Sequence, residues 1–309
     1  HSESGYRNLD QVRDKIELVR GDLQDPVSVR RAVEMLSGYN DVLIFHLGAQ
    51  AHVGESWNRP HETIRTNVIG TLNLLEAVRQ LDIDVEMLST AGTSEEYGNL
   101  DEEKLENYTR KNDKVILDEK SPLNPKSIYG TSKVAADFLT QNYSDAYGIP
   151  TITTRMFNNF GPRQNPRFIT GTVITQALNR DKIILGNLEA KRDMCYVDDG
   201  VSGHVEAALN GSSGNVYSFG SGENITMQKW VKKIVRVGRQ ADFWEEKEIV
   251  QNKNRFRPGN SEVKELRAGS EKLNNITGWE PEVELEEGIL ETIKWYAGNT
   301  SVWKGLTDW

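Results

Sequence analysis

An α/β fold, a doubly wound parallel sheet followed by a smaller C-terminal lobe, is the class this sequence predicts. Three observations carry it. Strand-like apolar runs alternate with helical patterns through the first half, polar clusters fall where those runs end, and the pattern loosens past residue 160. "KIELVRGDL" (15–23) reads as a strand and turn, "DPVSVRRAVEML" (25–36) as a helix and "NDVLIFHLGA" (40–49) as a buried strand. A long helix over 61–81 and a strand over "VEMLST" (85–90) follow, which makes successive βαβ units. The segment 101–120, acidic and lysine-rich, reads as a solvated insertion. Beyond 160 come short helices and turns such as Arg257-Pro258-Gly259, then a turn, an extended piece and a closing amphipathic helix over 277–298. The division expected is 1–160 for the sheet domain and 161–309 mainly for the second lobe, with some segments returning to the first.

Bulk composition narrows the function classes. A net charge of -9 argues against an extended basic surface for nucleic acid. No apolar run is long enough to cross a bilayer and no signal peptide opens the sequence, so the expectation is a cytoplasmic protein with no membrane partner. Cys195 is the single cysteine, which excludes an intramolecular disulfide and fits a reducing compartment.

Ligands on a doubly wound sheet bind beyond the carboxyl ends of its strands. Three clusters lie at those ends: Asp22-Leu23, Leu47-Gly48-Ala49-Gln50, and the stretch from Ser89 to Glu96. In "SIYGTSKVAAD" (127–137), Tyr129 and Lys133 stand four residues apart on a helix opening, so phenol and ammonium share one face. A lysine so placed can lower the tyrosine's pKa and help it exchange a proton, whereas an incidental surface pair is the plain alternative.

Eight motifs in fixed order turn this pattern into a resemblance. They are "GDL" (21–23), "HLGAQAHV" (46–53), "TNVIGTLNLLEA" (66–77), "TSEEYG" (93–98), "YGTSK" (129–133), "FNNFGPR" (157–163), "RDMCYVDD" (192–199) and "RPG" (257–259). Together they resemble the extended short-chain dehydrogenase/reductases that modify nucleotide-activated sugars. The resemblance implies a Rossmann-like domain holding NAD or NADP along Asp22, Leu23, Leu47, Gly48, Ala49 and Gln50. It implies Tyr129 as the acid/base for a sugar hydroxyl, Lys133 as the ribose-binding residue that depresses the tyrosine's pKa, and Thr93 as a hydroxyl on the same sugar oxygen. Asn158, Arg192 and Arg257 match positions that hold the substrate's diphosphate, and guanidinium groups suit bidentate phosphate contacts. A homodimer through the helices starting near His61 and Tyr129 is also implied. The family's opening strand and glycine-rich turn do not precede Asp22 in the sequence given. Roughly one βαβ unit, on the order of 30 residues, is therefore expected to have been omitted ahead of it, a real truncation being the alternative.

Reaction type rests on Thr93-Ser94-Glu95. Oxidation at C4 acidifies the C5 proton, and a carboxylate can remove it while the C6 hydroxyl leaves. Glu95, two residues from Thr93 in strand-end register, is that base, with Ser94 or a water assisting the departing hydroxyl; Glu96 should face the other way. The expected activity is a nucleotide-hexose 4,6-dehydratase that forms a 4-keto-6-deoxy sugar. A C4 epimerase, a UDP-glucuronate decarboxylase, a 4-keto sugar reductase and a non-catalytic nucleotide-sugar-binding protein are the alternatives. "HLGAQAHVGESWNRP" and "LGNLEAKRD" look most like GDP-mannose 4,6-dehydratases, while "FNNFGPRQ" and "SEVKEL" look like enzymes of other nucleotide sugars. Gly171-Thr172 after Phe168-Ile169-Thr170 departs from the basic pair of the GDP-mannose enzymes, so the nucleotide stays open. His52 borders the sugar loop without a catalytic role, and Cys195 packs near the second lobe.

Overall fold

The structure, a computed structural model, describes residues 7–259 and 261–307. Helix α1 (Pro26–Glu34) opens with Asp25 as N-cap, its carboxylate accepting from the Val27 N–H, and proline in the first turn. It is followed by β1 (Val42–His46), α2 (Val53–Asn58), α3 (Pro60–Ile64), a π-helical turn (Arg65–Ile69), α4 (Gly70–Leu81) and β2 (Val85–Ala91). A small hairpin, β3 (Thr109–Lys111) and β4 (Lys114–Ile116), precedes the 20-residue helix α5 (Ile128–Tyr147) and β5 (Thr151–Met156).

The second half contains β6 (Asn158–Phe160), α6 (Ile169–Asn179), β7 (Lys182–Leu185), β8 (Lys191–Tyr196) and α7 (Val197–Asn210). Then come β9 (Asn215–Phe219), β10 (Asn224–Thr226), α8 (Met227–Gln240), β11 (Glu248–Gln251), α9 (Glu271–Thr277), α10 (Leu285–Gly298) and α11 (Thr300–Trp303). Strands β1, β2, β5 and β9 form one parallel sheet in that order.

Helices cover both faces of that sheet, as a parallel sheet requires. On one face Val29, Val33, Leu74, Leu75 and Val78 pack against Val85 and Leu88. On the other, Ala207 and Ala208 of α7 meet Met87, Ile152, Tyr217 and Phe219, with Leu273 of α9 beside them. A third core joins α6, α8 and α10 around the fully buried Trp230, Ile234 and Tyr296, and it backs the small sheet β10-β8-β6.

Four sequence expectations change. Residues 16–20 form no strand: Ile16, Leu18 and Val19 are exposed, and among the described residues no strand runs beside them to complete a hydrogen-bond ladder. The run at 40–49 is a strand, but β1 is the sheet edge and only half-buried, with Phe45 exposed. The helix over 61–81 is interrupted by the π turn around Asn67. The 101–120 segment is not merely solvated, because Tyr108, Ile116 and Leu117 are buried and Tyr108 and Leu117 pack with Val263, Leu266 and Ala268.

Candidate active site

Strand β2 delivers its chain to the sheet's carboxyl edge, where Gly92 lets it pass close to Thr154: a Cβ on Gly92 would sit 3.1 Å from the Thr154 carbonyl oxygen. Thr93 then caps a single 3₁₀ turn, Ser94–Glu96. The Thr93 hydroxyl accepts from the Glu95 N–H at 3.3 Å, and the Glu96 carboxylate accepts from the Thr93 N–H at 2.8 Å, a capping box. This turn, rather than strand register, orients Glu95, and the difference corrects the alternation argument: in a 3₁₀ turn, two-residue spacing does not repeat a face.

Helix α5 starts against that turn. Ser127 caps it by accepting from the Gly130 N–H at 3.0 Å, and a Cβ on Gly130 would lie 2.8 Å from the Glu95 carbonyl oxygen. Only glycine allows this approach. Tyr129 stands buried in the first turn. Burial pushes the phenol well above its usual range, and the nearby Thr93 hydroxyl opposes that. Lys133, one turn on, donates to the Ala91 carbonyl at 2.7 Å. Desolvation brings its ammonium down to about 8. The pair shares a helix face as its spacing predicts.

The strand-end residues converge as well. Leu23 packs against both Gly48 and Gly70, where added Cβ atoms would meet its side chain at 2.8 Å. Asp22 accepts from the Gln24 N–H at 2.9 Å. Leu47 is 57% exposed directly after the buried His46, and Ala49 continues the loop to Gln50. Asn67, from the π turn, ties this loop to α5: it accepts from the Gln50 N–H at 2.8 Å and donates to the Gln50 carbonyl at 3.0 Å and to Ser132 Oγ at 2.9 Å. Its role was not visible in the sequence beyond the "TNV" motif. His52 caps α2 by accepting from the Glu55 N–H, a structural use. Cys195 is buried and its thiol is pushed up by desolvation, which leaves it inert.

Glu95 meets two arginines from the second half of the chain. Arg257 donates Nη1 to Oε2 and Nη2 to Oε1, each at 3.2 Å, a bidentate pair across 162 residues. Arg192 Nη2 lies 3.9 Å from Glu95 Oε1 and donates to Glu262 Oε1 at 3.1 Å. Asn158, on β6 beside β8, has a buried Oδ1 with no partner. Glu96 turns the other way, as expected, toward Arg155 and Asp137 in the core.

A nicotinamide ribose fits the residues present here, since Lys133 is a buried ammonium with one of three donors used and an exposed Leu47 stands at the strand end. The family described as GDP-mannose 4,6 dehydratase matches residues 2–292. The chain belongs to this family. A dTDP-D-glucose 4,6-dehydratase of Mus musculus is 30% identical over 97% of the chain and 80% of its own length. Among solved structures, a dTDP-glucose 4,6-dehydratase of Bacillus anthracis in complex with NAD aligns with a TM-score of 0.80 at 27% identity, covering 98% of this chain and 87% of that one. A UDP-glucose 4-epimerase of Thermus thermophilus in complex with NAD aligns at 0.77 and 25% identity, covering 93% and 88%. Fold, family and relatives agree on an extended short-chain dehydrogenase/reductase of the nucleotide-sugar 4,6-dehydratase kind, and the solved dTDP-glucose 4,6-dehydratases it resembles hold NAD. No helix among the described residues is long and apolar enough to cross a membrane.

Proposed function

We propose that the chain removes water across C5 and C6 of a dTDP-activated hexose, with Thr93, Ser94, Glu95, Tyr129 and Lys133 as the catalytic set. The observation that carries this reading is the packing of the α5 start, which bears Tyr129, against the Thr93-capped turn that holds Glu95, with two arginines from the second half on that carboxylate. The named relatives act on dTDP-glucose, which makes it the first substrate to test.

A nicotinamide held beside Lys133 and the loop from Leu47 to Gln50 would supply the hydride acceptance and return that the reaction needs. Tyr129, in its phenolate form, accepts the proton of the C4 hydroxyl, and Thr93 holds the same oxygen. Lys133 binds the cofactor's ribose and keeps positive charge near the phenol. Glu95 removes the C5 proton, and the buried Ser94 assists departure of the C6 hydroxyl. Asp22, Leu23, Leu47, Gly48, Ala49 and Gln50 line the cofactor's side, while Asn158, Arg192 and Arg257 take the diphosphate. Residues 1–160 make the cofactor domain and most of 161–309 the sugar-nucleotide lobe. We place the enzyme in the cytoplasm as a homodimer through α3 and α5, on whose surfaces Ile64 and Phe138 stay exposed.

Glu95→Gln should abolish water loss while leaving C4 oxidation measurable. Mass spectrometry of products from dTDP-glucose and cofactor absorbance in a single turnover check it, and undiminished dehydration by the variant would remove Glu95 from the mechanism. The likeness to the Thermus thermophilus epimerase favours C4 epimerisation as a second reading, which predicts an isomeric product of unchanged mass.

A further inference from the structure

The groups around Glu95 form a closed quartet of two carboxylates and two guanidinium groups. Besides the bidentate Glu95–Arg257 pair and the Arg192–Glu262 bond, Arg257 Nε lies 3.7 Å from the same Glu262 oxygen. Arg192 also donates to the carbonyls of Val263 at 2.8 Å and Lys191 at 3.0 Å, so its position is fixed by backbone. The two arginine side chains are 6% and 22% exposed. Two cations this far from water need compensating anions, and the carboxylates supply one charge each.

The carboxylates differ in freedom. Glu95 is 7% exposed and held on its capped turn, whereas Glu262 is 25% exposed. The backbone around Glu262 is pinned, because Val263 is fully buried and the Ser261 hydroxyl donates to the Pro258 carbonyl at 2.6 Å. Only the side chain of Glu262 is free to leave. Arg257 grips both oxygens of Glu95, so each already accepts a charged hydrogen bond.

We propose that Glu95 and Glu262 compete with the substrate's diphosphate for Arg192 and Arg257, so that diphosphate binding releases Glu95 to act as base. This rests on the reading of the arginine pair as the diphosphate grip. A nucleoside diphosphate brings more negative charge than the quartet can hold alongside both carboxylates. It takes the guanidinium forks, Glu262 swings toward solvent and Glu95 is left facing the sugar. Glu262 is thus a positioning residue, and energy from the remote diphosphate is used to ready the reacting centre.

The test is calorimetric binding of dTDP alone to the intact protein and to its Glu262→Gln, Glu262→Asp and Glu95→Gln variants. Removing a competing anion should tighten dTDP binding about tenfold in Glu262→Gln and also in Glu95→Gln, and Glu262→Asp, which keeps the charge, should restore weak binding. Unchanged or weaker binding in both glutamine variants, or no binding of dTDP to any form, overturns the proposal. Turnover separates this from the functional reading. Tighter binding without water loss from any nucleotide hexose keeps the competition and removes the dehydratase. Water loss with equal affinities does the reverse.

Discussion

Glu95 and Glu96 are neighbours in one short turn, yet they face opposite environments. Glu95 is answered by two arginines at the cleft, while Glu96 is fully buried against Arg155 and Asp137. Arg155 Nε stands 3.2 Å from Glu96 Oε2 but donates to Asp137 at 3.0 Å, and that glutamate oxygen has no hydrogen-bond partner. Desolvation, with Asp137's charge adding to it and Arg155's opposing, raises the Glu96 carboxyl from 4.5 to about 8. A carboxyl that holds its proton more tightly when folded contributes stability that is complete below 4.5 and is lost as pH rises through about 8. Glu96→Gln keeps the neutral shape and should flatten the fall in melting temperature between about pH 5 and about pH 8. An equally steep fall in the variant would show that another group titrates.

At the scale of elements, the π turn is the joint between the loop at Gln50 and helix α5. One extra residue in that turn places Asn67 between the Gln50 backbone and Ser132 on α5, while Thr71, on the following turn, accepts or donates to the buried His46 ring at 2.9 Å. Asn67→Ala leaves the Gln50 N–H and carbonyl without their partner. It should cost about 2 kcal/mol of stability in chemical denaturation, the range for an orphaned buried hydrogen-bond group. A loss below about 0.5 kcal/mol would mean that water replaces the amide without penalty. The regular parts of α4 and α5 were legible from their apolar periodicity. The π turn was not, because an inserted residue breaks the period only locally and its compensation comes from a different element.

For the whole molecule, the sheet leaves β1 at its edge and places α3 and α5 side by side on the surface, where Ile64, Phe138 and Tyr147 are exposed. Apolar side chains gathered on neighbouring helices favour burial against a second copy. Phe138, 51% exposed, is the most direct probe. Phe138→Asp should shift a dimer toward monomer in sedimentation equilibrium, with little change in the far-ultraviolet circular dichroism. A protein that is monomeric before substitution removes the dimer from the proposal.

By itself the sequence determined the succession of strands and helices, the shared face of Tyr129 and Lys133, and the motifs that mark the family. These features repeat within a turn of helix or a few residues of strand, so neighbouring residues encode them. Only the tertiary structure showed that residues 16–20 form no strand among the described residues, where none runs beside them to pair. It also decided that Lys133 spends a hydrogen bond on Ala91, and that Arg257 and Arg192 close on Glu95 from 162 and 97 positions away, counted as 257 − 95 and 192 − 95. Ion pairs over that separation leave no periodic trace in the chain. They follow from where the second lobe sets its loops against the strand ends.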